Sequence, residues 1–417
     1  MKVLWLCNMV PSVIQGRLSG QKGGGVWVDH VLEDLRRRED LVIRILCPGN
    51  AEEGALDSVC SYAFYQEGLP YVYMEALEAQ FHRELETFQP DVIHIWGTEY
   101  GHTLAMVNAA EKGDLCKRVV ISIQGLCSAI AGHYAEGVPY RVQRKSTFRD
   151  LVKRDNLLQQ QRKFVLRGDL EIQAIRKVHH VIGRTQWDEA CVKQINPEVK
   201  YHFCNETLRE PFYQDTWNYE NCRKHRIFTT AFYYPVKGFH YMLTALAEII
   251  KRYPDATLAV TGDSFLQLNG LKAQLRRNSY QNYLIEFVRQ HGLEDKIEFL
   301  GNLGPEDMKA QYLRSNVFAL PSTVENSPNS LGEAMLLGLP CVASDVGGVS
   351  TMMAHEQEGY VYQSTAPYML AHYIMKVFRL QDEAEKLGAA AREHAKRTHD
   401  PEKNLQDLLR IYEAVMK

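Results

Sequence analysis

Short, continuous apolar runs alternate along the chain with longer stretches whose apolar residues recur every three to four positions. In the first half the apolar runs fall at residues 3–7, 42–47, 92–95, 119–123 and 178–182, and stretches of helical spacing lie at 26–38 and 74–88. Strands that are apolar on both faces and separated by helices predict a parallel sheet covered on each side. The alternation pauses over 205–226, a polar segment that reads as an interdomain connection. It restarts with an apolar run at 227–232, a helix at 239–252 and a run at 256–261, then continues through 297–300, 317–320 and 340–343. Helices close the chain, the last at about 401–415. The pattern predicts an α/β chain of two doubly wound, Rossmann-like domains. The first covers 1–204, completed by a C-terminal helix at about 400–417, and the second covers 227–399. Ligands of such sheets bind outside the carboxyl ends of the strands. With two domains, the cleft between them is the expected site.

Composition narrows the class of protein. At 417 residues the chain is too long for one ordinary core. Its 45% hydrophobic and 24% charged residues fit a globular protein and exclude a disordered one. A formal net charge of −3 argues against a general nucleic-acid binder. The nine cysteines form no CxxC pair, and several sit inside apolar runs, as Cys7 and Cys47 do. They read as buried reduced thiols in a cytoplasmic protein rather than as disulfides or zinc ligands. The N-terminal run is too short for a signal peptide and reads as a first strand. No run of 18 apolar residues predicts a membrane span.

The segment from Leu320 to Met335 carries the densest candidate chemistry. A strand ends at Leu320, a loop carries Glu325, and a helix starts near Asn329 or Ser330 with Glu333 in its first turns. A helix start aimed into a cleft offers free N–H groups and partial positive charge, which suits a diphosphate. Two carboxylates there would repel phosphate, so they read as acceptors for sugar hydroxyls. A plain capping box, with Ser330 as cap and Glu333 at N3, explains the same residues. Next come Gly338-Leu339-Pro340, a buried strand, and Gly347-Gly348 at its carboxyl end, where glycines allow close approach to the backbone.

This order of residues resembles the retaining glycosyltransferases of family 4, which have the two-domain GT-B fold. The resemblance rests on Glu325 and Glu333 separated by seven residues, then Ala334-Met335, Gly338-Leu339-Pro340 and Gly347-Gly348. It implies that Glu333 binds the donor's ribose and Glu325 faces the transferred sugar. It gives the backbone of Asn329, Ser330 and Leu331 the distal phosphate. It makes Lys237 the cation that neutralises the leaving diphosphate. Gly23, Gly24 and Gly25 match the family's glycine-rich loop at the reacting centre. The implied partners are a nucleotide-diphosphate sugar donor and a saccharide or lipid-linked acceptor, with no cofactor and no metal.

Two positions depart from the family. Phe232 stands where an arginine usually precedes the lysine by five residues. Gln124 stands where a histidine is common; it can hydrogen-bond the donor sugar but cannot titrate. A missing cation beside a diphosphate is worth about 3–4 kcal/mol by analogy with oxyanion stabilisation. Arg184, at a strand's carboxyl end, is the candidate replacement. The stretch 141–177 holds eleven basic and four acidic residues. It suits either a solvated helix face or peripheral contact with the inner face of a membrane. A non-catalytic nucleotide-sugar-binding or scaffold protein on the same fold is the alternative that Phe232 and Gln124 support. A nicotinamide-dependent dehydrogenase is disfavoured, since no GxGxxG follows Cys7.

Overall fold

The structure is a computed structural model that describes residues 1–20, 28–230, 232–266, 270 and 275–417. The chain divides into two compact units. One comprises 1–131, 163–207 and 399–417, and the other 132–162 and 208–398. This differs from the division expected from sequence in two places. Residues 132–162 and most of the segment read as a linker belong to the second unit. The polar segment hides anchors: Leu208, Phe212, Trp217 and Cys222 are buried in the second unit's core.

The first unit holds a sheet of eight strands: β1 (Lys2–Cys7), β2 (Val42–Pro48), β3 (Gly54–Ala55), β4 (Cys60–Tyr65), β5 (Val92–Trp96), β6 (Val119–Ser122), β7 (His180–Gly183) and β8 (Lys200–Phe203). Their order is β3-β4-β2-β1-β5-β6-β7-β8. All neighbours are parallel except the short β3. The central strands β1 and β5 are almost wholly buried, which is why they read as apolar runs, broken in β5 only by His94. The helix Pro401–Val415 returns to this unit and inserts Leu408, Ile411, Tyr412 and Val415 into its core. The Tyr412 hydroxyl accepts from Trp5 Nε1 at 3.0 Å and bonds His94 Nδ1 at 2.7 Å. Burial pushes the His94 pKa down to about 3, so its ring is neutral in this network.

The second unit holds six strands: β9 (Arg226–Thr229), β10 (Thr257–Val260), β11 (Ile297–Phe299), β12 (Val317–Leu320), β13 (Cys341–Asp345) and β14 (Tyr360–Gln363). They are parallel throughout, in the order β11-β10-β9-β12-β13-β14. Counted from β9 this is 3-2-1-4-5-6, the doubly wound order that reverses between its first and fourth strands. The crevice of this sheet therefore opens beyond the carboxyl ends of β9 and β12. Both units are Rossmann-like α/β layers. All nine cysteines are free thiols, most of them buried. Among the described residues no helix is long and apolar enough to cross a membrane.

Candidate active site

Two turns of the second unit meet at the reversal point. After β9 a short 3-10 turn, Pro235–Lys237, ends at Gly238 with φ of 65°. After β12 the loop carrying Glu325 leads to the helix Asn329–Leu336. Thr323 donates its N–H to the Val236 carbonyl at 2.8 Å, which fixes one turn against the other. Lys237 Nζ then donates to Glu325 Oε1 at 2.7 Å, and Ser322 Oγ donates to the same oxygen at 2.7 Å. Glycine is required on both sides of this loop. A Cβ on Gly238 would lie 1.7 Å from the Pro321 carbonyl oxygen, and one on Gly347 (φ 52°) would lie 1.7 Å from that of Glu325. Gly348 N–H donates to the same Glu325 carbonyl at 3.1 Å. The Gly-Gly pair thus lets β13's exit lie directly on the backbone that presents Glu325.

The helix Asn329–Leu336 has no side-chain cap, because Pro328 occupies the N-cap position. The capping-box reading of Ser330 and Glu333 is therefore not the arrangement found. Asn329 and Ser330 are partly exposed at the helix start, where N–H groups lack partners within the helix. Leu331 differs from its expected role: its N–H donates to the Pro328 carbonyl at 3.0 Å and is not free for phosphate.

Glu333 is buried and already engaged. Its Oε1 accepts from Arg209 Nε at 2.7 Å, and Tyr312 Oη donates to Oε2 at 3.4 Å. Burial raises the Glu333 pKa, and the Arg209 charge works against that rise. Arg209 lies in the supposed linker and was not among the expected site residues. Its partner is 124 residues away, and nothing local encodes that pairing.

Phe232 does not lie where a missing cation could be restored. Its ring is 1% exposed and packs against Tyr233, Phe239, Phe265 and Phe299. Arg184, the candidate replacement cation, is described by its surroundings in the first unit. Arg184 belongs to the first unit, is 5% exposed, and pairs with Glu206 at 2.6 Å, so its charge is neutralised there. Gln124 joins the same network, donating from Nε2 to Glu206 Oε1 at 2.7 Å. Gly23, Gly24 and Gly25 lie outside the described residues.

In the first unit the strand order reverses between β1 and β5. Glu99, which sequence reasoning missed, lies just beyond β5 with a buried Oε2 that has no hydrogen-bond partner. Burial pushes its pKa up to about 7; the nearby Glu171 adds to the rise and Arg167 opposes it. Glu171 is tied down by Thr98 Oγ1 and by the N–H groups of Cys127 and Ser128.

Residues 220–394 match the family model described as glycosyl transferases group 1. The Bacillus subtilis spore coat protein SA is 27% identical over 180 residues, 43% of this chain and 46% of that protein. The D-inositol 3-phosphate glycosyltransferase of Corynebacterium urealyticum is 26% identical over 180 residues, 43% of this chain and 41% of that enzyme. The matched segment is similar to the group 1 glycosyl transferases, and the chain has the GT-B fold. Its aligned part spans less than half the length of these curated relatives. Among solved structures, sucrose-phosphate synthase of Thermosynechococcus elongatus aligns with a TM-score of 0.70 at 16% identity, covering 100% of this chain and 99% of that one. Anabaena HepE, solved with UDP-glucose, aligns at 0.64 and 18% identity, covering 99% and 100%. At these identities the solved structures speak for the fold of this GT-B chain across its whole length.

Proposed function

We propose that the chain is a retaining hexosyltransferase. It moves a hexosyl group from a nucleotide-diphosphate sugar, a uridine-linked one first, to a glycan or lipid-linked saccharide. The observation that carries the reading is the Lys237–Glu325 pair, set beside an uncapped helix start at the reversal point of the second unit's sheet. In this reading the distal phosphate sits at the N–H groups of Asn329 and Ser330, with Lys237 against its oxygens. Glu325 turns from Lys237 toward the hexose hydroxyls, and Glu333 shares its carboxylate between Arg209 and the ribose. The bond from the anomeric carbon to the phosphate oxygen breaks as Lys237 and the helix start stabilise the departing diphosphate. The acceptor hydroxyl attacks from the same face, and a phosphate oxygen takes its proton. No protein nucleophile is needed. HepE, of the same fold and held with UDP-glucose, puts uridine donors first in the trial panel.

The test is product analysis with UDP- and GDP-sugars, run beside Lys237→Ala and Glu333→Ala. Loss of the cation should lower kcat by about 10²–10³-fold. Unchanged turnover in both variants would remove the assignment. The aromatic burial of Phe232 favours a second reading, a GT-B scaffold that binds nucleotide without transfer. Thermal stabilisation by uridine diphosphate, with no product across a broad acceptor panel, would select it.

A further inference from the structure

The short helix Phe148–Lys153 in the second unit is oriented by one buried carboxylate. Its N-cap, Thr147, closes a capping box with Asp150. Asp150 is 1% exposed and accepts from the Ser279 N–H at 3.0 Å, which pins this side of the helix inward. At about 100° per residue, Phe148, Leu151 and Val152 fall within roughly 100° of arc on the opposite side. They are 62%, 67% and 67% exposed, and Tyr140 in the preceding helix Tyr140–Arg144 is 65% exposed. An apolar helix face turned outward is the reverse of what packing produces.

Charge says what covers this face. Arg141, Arg144, Lys145, Lys153 and Arg154 are all exposed around it, and Arg144 lies 5.6 Å from the Tyr140 ring centroid. Asp150, the only acidic residue in 140–154, is buried. A second copy seated on the face would set these five cations against five more. A flat anionic surface with an apolar layer beneath it satisfies both the cations and the apolar side chains. We infer that residues 140–154 form an interfacial anchor, in which Phe148, Leu151 and Val152 enter the headgroup boundary of an anionic lipid bilayer while the surrounding Arg and Lys pair with lipid phosphates. The anchor rests on this segment alone and stands apart from the sugar-transfer reading.

The test is co-sedimentation of the full chain with vesicles of phosphatidylcholine alone or mixed with phosphatidylglycerol. The chain should pellet with the anionic vesicles and stay in solution with the zwitterionic ones, and the binding should weaken as salt is raised. Lys153→Ala with Arg154→Ala should reduce partitioning about 25-fold, at about fivefold per cation. Phe148→Ser with Leu151→Ser should reduce it by roughly tenfold or more. Circular dichroism checks that each variant remains folded. Equal binding to both vesicle types, no binding, or binding that neither double variant changes would overturn the anchor. So would a concentration-dependent dimer in gel filtration that Phe148→Ser with Leu151→Ser abolishes, because a second copy would then be the occupant.

Discussion

Replacing Gly347 by alanine tests whether the Gly-Gly exit of β13 fixes the position of Glu325. The new Cβ would lie 1.7 Å from the Glu325 carbonyl oxygen and 2.9 Å from its carbon, both backbone atoms that no rotamer change can move. Holding alanine at a φ of 52° costs about 1–2 kcal/mol. Relieving the overlap by shifting backbone costs about 1–3 kcal/mol. The sum is about 2–5 kcal/mol. In a unit of about 200 residues that lowers Tm by roughly 4–20 °C, at about 2–4 °C per kcal/mol. The shift has one direction open to it, since Glu325 must back away from Gly347. That displaces the carboxylate held 2.7 Å from Lys237 Nζ. A misplacement of about 1 Å at a reacting centre costs about 10²-fold in kcat. The assay pairs differential scanning fluorimetry with sugar-transfer kinetics. Gly132→Ala serves as control, because a Cβ there meets nothing within 4 Å. It should be neutral or slightly stabilising in its helix. If Gly347→Ala melts within 2 °C of the wild type (a margin of about 1 kcal/mol) and turns over normally, the loop does not depend on this contact and the site geometry is wrong.

Three further outcomes are expected. Arg209→Ala leaves the Glu333 carboxylate buried without its partner and should cost about 3–5 kcal/mol in urea unfolding; adding Glu333→Gln should recover much of that loss, and strictly additive losses would refute the pairing. Phe232→Arg, which restores the residue common in the family, buries an unpaired guanidinium among four aromatic rings, so it should lower Tm and yield no gain in kcat; a stable, faster variant would overturn the packing argument. The Glu99 carboxyl binds its proton more tightly folded than unfolded, so its contribution is full below about pH 4.5 and is lost as pH rises through about 7. Glu99→Gln should therefore gain about 2.5 kcal/mol on the wild type between pH 5 and pH 8, and a pH-independent difference in Tm would refute the burial of that group.

The central strands were legible because burial on both faces leaves few polar positions to interrupt them. β1 and β12 are apolar runs for that reason, and β5 is interrupted only by the buried His94. The edges were harder to read. β8 (Lys200–Phe203) has no fully buried position, and its Lys-Tyr-His-Phe sequence follows neither periodicity. β4 was missed although it is mostly buried, because Ser61 and Tyr62 break the apolar run. At the site, Lys237, Glu325 and the two glycines could be found because each occupies a fixed offset within one strand-loop-helix unit. The counter-ions of Glu333 and Arg184 could not. Arg209 and Glu206 sit in a polar stretch whose composition looks the same whether it hangs free or lies folded on a core. Only the second unit's apolar anchors, Phe212 and Trp217, mark the difference, and they are too sparse to give a period.

The return of the helix Pro401–Val415 to the first sheet sets an order of assembly during synthesis. Trp5 and His94 leave the ribosome long before Tyr412, the residue that satisfies them both. The 318 residues from His94 to Tyr412, which include the whole second unit, take about 15–65 s to make at roughly 5–20 residues per second. Throughout that interval the early sheet keeps an apolar face and an unsatisfied indole open to solvent, while the later unit can already close around its own core. A nascent chain stalled before residue 401 should therefore recruit chaperones through its oldest segment rather than its newest.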